Sequence, residues 1–449
     1  MKQNRSASLA QGSPAAFLCS RDVACCVVSL GCAKNEVDSE RLLGRLSSAG
    51  YRIASEPDEA DIIILNTCGF ITEAKEESIA AILEALDLKK RSGRPDRMIV
   101  VAGCLSQRYR DEIAAEIPEA DLIYGLLDEA FVERMSSEFG IAALPTTSCR
   151  KPLRPGSSYA YLKIAEGCSN NCSYCAIPLI RGPAVSYPPH LILAEAREAV
   201  ASGAREIIVI AQDIGAYRAG DCDLRELVER LAGIEGIDWL RLMYCHPRHL
   251  DDRVIDALER GSPVVPYLDV PFQHASARIL RSMGRGGDAE SHLRLIERLR
   301  KRVPSIRIRS TLMVGYPGET EEEFEELIAF LRAASLDRVG AFMYSAEEGT
   351  RAYRLGDTVP KGVKKERYQR LMNAQREISS RRLESMIGTV VDVLIEERID
   401  RFTWAGRTMY DAPEVDGVFY LTASHAALNE MVRARVTGAT EYDLIGEAV

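Results

Sequence analysis

The chain has no run of about 18 consecutive apolar residues, the length a helix needs to cross a bilayer core. Its first 22 residues are polar and small and lack the continuous apolar segment of a signal peptide. They read as a disordered tail, and the expected compartment is the cytoplasm, with no membrane partner. Histidine is scarce, with six in 449 residues, and no obvious nucleophile–histidine–acid triad stands out. Residues 386–449 lack lysine altogether: five Arg face five Asp and six Glu, a local balance of −6. A phosphate-gripping surface needs Lys and Arg, so this segment is a poor candidate for holding RNA. The whole chain carries a net charge of −9, which argues mildly against a polyanionic partner and suits a basic protein.

Cysteine, by contrast, is plentiful. Twelve in a reducing compartment point to metal or redox chemistry where they are patterned, and to small buried hydrophobes where they are not. Cys25, Cys26, Cys149, Cys222 and Cys245 show no pattern and are expected to be buried, as is Cys19.

An α/β fold in three parts is expected. From 23 to 140, three short apolar runs (Cys25–Leu30, Asp61–Leu65, Met98–Ala102) alternate with helical periods, the signature of a parallel sheet covered by helices. A linker-rich break follows. From 158 to 385 six strand candidates alternate with helices, at Tyr159–Ala165, Glu206–Ala211, Trp239–Tyr244, Tyr267–Val270, Arg307–Val314 and Arg338–Tyr344. Six units make a partial, open barrel. Thr320 followed by Glu321, Glu322 and Glu323 marks a helix start. A long helix is expected from Lys364 to Met386, with Gly388 as its cap. Residues 386–449 read as a small β-barrel of strands at Val390–Ile395, Thr403–Met409, Gly417–Thr422 and Met431–Thr437.

The sharpest motif is Gly167-Cys168-Ser169-Asn170-Asn171-Cys172-Ser173-Tyr174-Cys175, directly after the first strand of the middle part. Three thiolates in C-x-x-x-C-x-x-C spacing supply three of the four ligands a 4Fe–4S cluster takes, leaving one iron open. A zinc site would need a fourth ligand from elsewhere. A second constellation is spatial: Cys32, Cys68 and Cys104 each end one of the first three apolar runs, at intervals of 36 residues. Parallel strands bring such ends to one sheet edge, where open α/β sheets bind ligands. A glycine beside each cysteine (Gly31, Gly69, Gly103) lets backbone approach a bulky group.

The cysteine loop resembles that of radical S-adenosylmethionine enzymes. Together with the first triad and the small terminal barrel, the chain is similar to the methylthiotransferases of that superfamily over nearly its whole length after residue 22. The resemblance implies two 4Fe–4S clusters, held by Cys168, Cys172 and Cys175 and by Cys32, Cys68 and Cys104. It also implies S-adenosyl-L-methionine bound at the open iron of the first, and a TRAM-like terminal barrel. Tyr174 holds the position where the family's aromatic ring lies near the adenine. Gln212, Gln273 and Arg309, polar groups at strand ends, are expected in the cofactor or substrate pocket, with His274 behind it. After Arg181-Gly182-Pro183 the family usually has Ser-Arg, whereas Ser186 here precedes Tyr187, so one contact of that Arg is in doubt.

Three segments are similar to the RimO-like branch, which modifies an aspartate of the small-subunit ribosomal protein uS12: Ser29–Glu40, Tyr344–Thr350, and Gly406–Arg407 with Asp411–Gly417. The branch that modifies adenosine in tRNA (isopentenyladenosine) tends to have Arg-Pro where Glu347-Glu348 stands. The expected reaction replaces a hydrogen on the aspartate β-carbon by a methylthio group, using two S-adenosylmethionine molecules. An electron donor such as flavodoxin or ferredoxin is implied, and the sulfur donor is undetermined. The alternatives are tRNA methylthiolation and a non-catalytic iron–sulfur scaffold or sensor.

Overall fold

The computed structural model describes residues 18–146 and 150–449, which divide into two compact units. Cys149 and residues 1–17 lie outside the described residues. Among those described, no helix is long and apolar enough to cross a membrane.

The first unit comprises the described residues up to 31 with 38–69 and 75–151. It is built on a parallel sheet of β1 (Ala24–Ser29), β2 (Arg52–Ile53), β3 (Ile62–Thr67), β4 (Met98–Gly103) and β5 (Leu122–Ile123), in the order 2-1-3-4-5. The central strand β3 is buried along its whole length, as a parallel strand covered on both faces must be. The helices α1 (Ala33–Ser48) and α2 (Thr72–Arg91) follow β1 and β3. The edge strands β2 and β5 carry two residues each, too short for a periodic signal. Leu18–Cys19, placed in the tail by the sequence reading, pairs in parallel with Ile141–Ala142, and Cys19 is exposed rather than buried. Cys25 and Cys26 are buried core residues.

The second unit contains residues 32–37, 70–74 and 152–449. Its sheet consists of β6 (Tyr159–Lys163), β7 (Glu206–Ile210), β8 (Trp239–Leu242), β9 (Val264–Asp269), β10 (Arg307–Val314) and β11 (Arg338–Met343). All neighbours are parallel and in sequential order, the six-unit open barrel that the alternation implied. Helix α3 (Glu321–Ala334) starts in a capping box: Thr320 Oγ1 accepts from the Glu323 amide at 3.3 Å, and Glu323 Oε2 accepts from the Thr320 amide at 3.0 Å. Helix α4 runs Lys361–Glu384 behind Pro360. Ser385 caps it, and Gly388, expected as the cap, instead turns the chain with φ 89° while its amide donates to Val436 O at 2.8 Å.

The terminal segment closes into a barrel of β12 (Val390–Arg398), β13 (Thr403–Thr408), β14 (Phe419–Thr422), β15 (Met431–Ala439) and β16 (Leu444–Ala448), in the order 12-13-14-16-15. The fifth strand was not anticipated. It supplies the closure, pairing parallel to β14 and antiparallel to β15.

Buried charges join this barrel to the six-stranded sheet. Glu206 on β7 is fully buried, with Arg241 Nε at 2.5 Å and Arg407 Nη2 at 2.7 Å. Asp411 accepts from Arg338 at 2.6 Å, and Asp416 accepts from Arg309 Nη1 at 2.7 Å and from the Tyr267 hydroxyl at 2.6 Å. The segment 411–417 is therefore structural mortar as well as a family signature.

Candidate functional site

In the first unit, β1, β3 and β4 end on one edge, with Cys68 directly after β3 and Cys104 directly after β4; Cys32, three residues after β1 along the chain, belongs to the second unit. The turns interlock through glycine. A Cβ on Gly31, whose φ is 87°, would lie 2.6 Å from Cys68 Cβ and 2.8 Å from its Sγ. One on Gly69 would lie 2.8 Å from Leu105 Cα, and one on Gly103, at φ 97°, would lie 2.5 Å from Thr67 O. Neither position tolerates a side chain, so the strand ends close up around the thiols. Ser78 fixes the Cys68 backbone from both sides: its Oγ accepts from the amide at 2.9 Å and donates to the carbonyl at 3.0 Å. Cys68 and Cys104 are buried, and Cys32 is exposed.

In the second unit, the loop from Gly167 to Cys175 leaves the short strand Ala165–Glu166. A Cβ on Gly167 would strike Pro183 O at 2.2 Å, and the Cys168 amide donates to Gly182 O at 3.1 Å. The loop's far half is pinned by Ser173, whose amide donates to Met283 O at 2.7 Å and whose hydroxyl donates to Ser282 O at 2.8 Å. Polar groups face the sulfurs. Asn170 Nδ2 lies 3.5 Å from Cys168 Sγ, and Arg285 Nη1 lies 3.4 Å from Cys172 Sγ. Burial pushes the Cys175 thiol up to about 12 and raises Cys168, so a nearby cation is needed to hold either as thiolate. Tyr174, within this loop, is partly buried against the cluster around Met283 and Tyr316. No three His, Cys, Asp or Glu side chains among the described residues are set to hold a single metal ion. Cubane ligands stand wider apart than that.

The mouth of the sheet is lined with charge that sequence reasoning missed. Glu166 accepts from Lys163 Nζ at 2.7 Å, Arg181 Nη1 at 2.8 Å and Gln212 Nε2 at 3.0 Å. Burial raises its pKa, but Lys163 and Arg181 outweigh this and hold the carboxyl at about 2. Arg181 also donates to Asn35 Oδ1 at 2.6 Å. Lys34, in the first turn of α1, places its ammonium 3.2 Å from the ring centre of Tyr244, itself in left-handed conformation at φ 68°. Burial lowers the Lys34 pKa to about 8. Asp269, ending β9, is buried with Oδ1 unpartnered, and burial pushes it up to about 6. The one available signal was charge closing apolar strands, as at Lys163 and Asp269.

Of the expected pocket residues, Gln212 reaches this network and Gln273 lies at the end of the loop after β9, at φ 69°, with its Oε1 buried and unpartnered. Arg309 Nη1 donates to Asp416 and to Val415 O at 2.9 Å, and its charge also acts on Asp269 and Tyr244. His274 is fully buried, accepting the Ser276 amide on Nδ1 at 3.0 Å, with Nε2 3.5 Å from Glu319. Asp213 organises the loop ends instead. It accepts from Asn170 Nδ2 at 2.7 Å and the His246 amide at 3.1 Å, and lies 2.6 Å from His249 Nδ1. Tyr187, standing where the family usually has Arg, packs against the core, and its carbonyl accepts from the Tyr217 hydroxyl at 3.0 Å.

Residues 24–125 match the uncharacterized protein family UPF0004, residues 162–331 the radical SAM superfamily, and residues 387–449 the TRAM domain. Among solved structures, the radical S-adenosylmethionine methyltransferase TsrM from Kitasatospora setae shares the fold, with TM-score 0.55 and 14% identity over 73% of this chain and 76% of that one. The ribosomal protein uS12 methylthiotransferase RimO of Geobacter sulfurreducens is 44% identical, covering 94% of this chain and 98% of its own. That of Desulforudis audaxviator is 45% identical, covering 93% and 95%. With such identity sustained across all three parts, the chain belongs to the ribosomal protein uS12 methylthiotransferase RimO family.

Proposed function

We propose that this protein is a radical S-adenosylmethionine methylthiotransferase that inserts a methylthio group at the β-carbon of an aspartate in ribosomal protein uS12. The observation that carries this reading is the pair of cysteine triads, one set by the strand ends of the first parallel sheet and one in the loop that follows β6 and the short strand Ala165–Glu166, in a chain that matches a RimO protein over 94% of its length. Cys168, Cys172 and Cys175 would hold one 4Fe–4S cluster, and Cys32, Cys68 and Cys104 the other. The residues fit such groups: glycines let the strand ends close up around Cys68 and Cys104, and in the second triad buried thiols need a cation to ionise. When bound, the clusters and S-adenosylmethionine supply the one-electron chemistry and the methylthio group.

The chain's own residues do the positioning. Gly31, Gly69 and Gly103 bring the strand ends together. Asn170 and Arg285 offer donors to the sulfurs of the loop, a contact that stabilises thiolate charge. Glu166, fixed by Lys163 and Arg181, presents Gln212 at the mouth, where S-adenosylmethionine would lie with Tyr174 and Gln273. Electrons would come from a small carrier such as flavodoxin or ferredoxin, and the work would be done in the cytoplasm.

The test is anaerobic reconstitution with S-adenosylmethionine and a reductant, offering a uS12 loop peptide and, separately, unmodified tRNA. A methylthio mass gain on the peptide aspartate is expected. A gain on tRNA alone would overturn the substrate assignment, and absence of 5′-deoxyadenosine would overturn the radical chemistry.

A further inference from the structure

A target aspartate is an anion at neutral pH, and bringing it into a partly buried site without a counter-charge costs several kcal/mol. The cations near the mouth of the six-stranded sheet are nearly all engaged. Lys163 and Arg181 share Glu166, Arg309 holds Asp416, and Arg285 is bonded to Pro271 O beside Cys172. Lys34 is the exception: among the described residues no carboxylate lies within ion-pair distance of its ammonium, whose contact is the face of Tyr244. Its position opposes it twice. A cation in the first turn of a helix meets the positive end of the backbone dipole, and partial burial strips away water. The charges of Cys32, Asp269 and Glu166 act on it, but neither carboxylate forms an ion pair with it, and Asp269 keeps Oδ1 unpartnered. A cation held against these costs, two residues after a cysteine of the first triad, is set to receive an anion.

Resting on the uS12 reading above, we propose that Lys34 binds the side-chain carboxylate of the target aspartate, held for that purpose by the ring of Tyr244. The reacting β-carbon is bonded directly to that carboxyl carbon. Clamping the carboxylate leaves only rotation about one bond to place the β-hydrogen. The same contact discriminates aspartate from asparagine, whose amide carries no charge.

The test uses the reconstituted holoenzyme and two uS12 loop peptides that differ only in Asp or Asn at the target. Wild type is expected to bind the Asp peptide about tenfold more tightly, the value of one charge-assisted contact. In K34M, whose apolar stem still covers Tyr244, Asp-peptide affinity should fall about tenfold, erasing the preference. Asn-peptide affinity and iron content should hold within about twofold, which is also the control for folding. Equal binding of the two peptides by wild type, or an equal loss for both in K34M, would overturn the assignment of Lys34. Failure of wild type to methylthiolate the Asp peptide would instead overturn the functional reading.

Discussion

Gly31 is the residue on which the first cysteine triad most directly turns. Its missing side chain is what allows the end of β1 to approach Cys68, and its φ of 87° disfavours any replacement. Gly31→Ala should fold, since the turn lies at a sheet edge, yet lose close to half of the bound iron after reconstitution. Iron and sulfide assays on purified variant and wild type check this. A second consequence concerns His292, buried between the rings of Phe272 and Phe330 at 4.7 and 5.9 Å, with Nδ1 unpartnered. Burial, aided by Arg285, lowers its pKa to about 4. The folded protein therefore refuses a proton that the unfolded chain accepts near its ordinary value of about 6.5. This contribution to stability is present above that value and is lost as pH falls from about 6.5 to about 4, by on the order of 1–3 kcal/mol. Thermal midpoints followed across that window should decline in wild type and flatten in His292→Leu.

Between elements, the most consequential contact is the buried charge group that joins β7 to the terminal barrel. Glu206 has no solvent contact, and Arg241 and Arg407 together outweigh its burial and hold its pKa down. Arg407→Met would leave Glu206 with Arg241 alone, and Glu396 without its partner. Breaking such a buried pair costs about 3–5 kcal/mol, so chemical denaturation should show the midpoint falling sharply, with proteolysis between α4 and β12 appearing early. Strands were legible where the burial pattern was regular: β10 (Arg307–Val314) was expected with the bounds it has, because Ile308, Ser310, Leu312 and Val314 bury one face while Arg307, Arg309 and Thr311 alternate with them. The two-residue strands β2 and β5 left no period to read, and β16 hid in a short segment interrupted by Gly446. The cysteine sets were legible because they sit at strand ends, where chemistry and topology coincide. The partner of Arg309 was not legible for a physical reason: a strand-end guanidinium gives no sign of the acid that holds it until that acid, Asp416 some hundred residues on, is placed. Lys34, Glu166 and Asp269 were missed for the same reason, since a lone charge at a strand or helix end carries no motif.

At the scale of the whole molecule, the two cysteine sets grow from two different sheets, so they should be separable by mutation. Replacing Cys168, Cys172 and Cys175 by Ala is expected to abolish 5′-deoxyadenosine release while retaining about half of the iron. Replacing Cys32, Cys68 and Cys104 should retain that release and abolish methylthio transfer. Chromatography of the nucleoside and mass spectrometry of the peptide distinguish the two. The acidic balance of the terminal barrel also changes meaning once its partners are known. Asp411 and Asp416 are neutralised by Arg338 and Arg309 from outside the segment, so the charge offered outward is smaller than the −6 of the segment.

The closure of that barrel by β16 has a consequence for recognition. Every strand in it has a partner on both sides, leaving no row of unpaired amides and carbonyls for an incoming chain to extend. A ribosomal-protein loop meeting this surface has no backbone ladder to join, so main-chain zippering of the kind that makes many peptide-binding sheets indifferent to sequence is ruled out here. Selectivity at the barrel must be written in side chains, and it can drift from one lineage to another by point substitution without disturbing the fold that carries it.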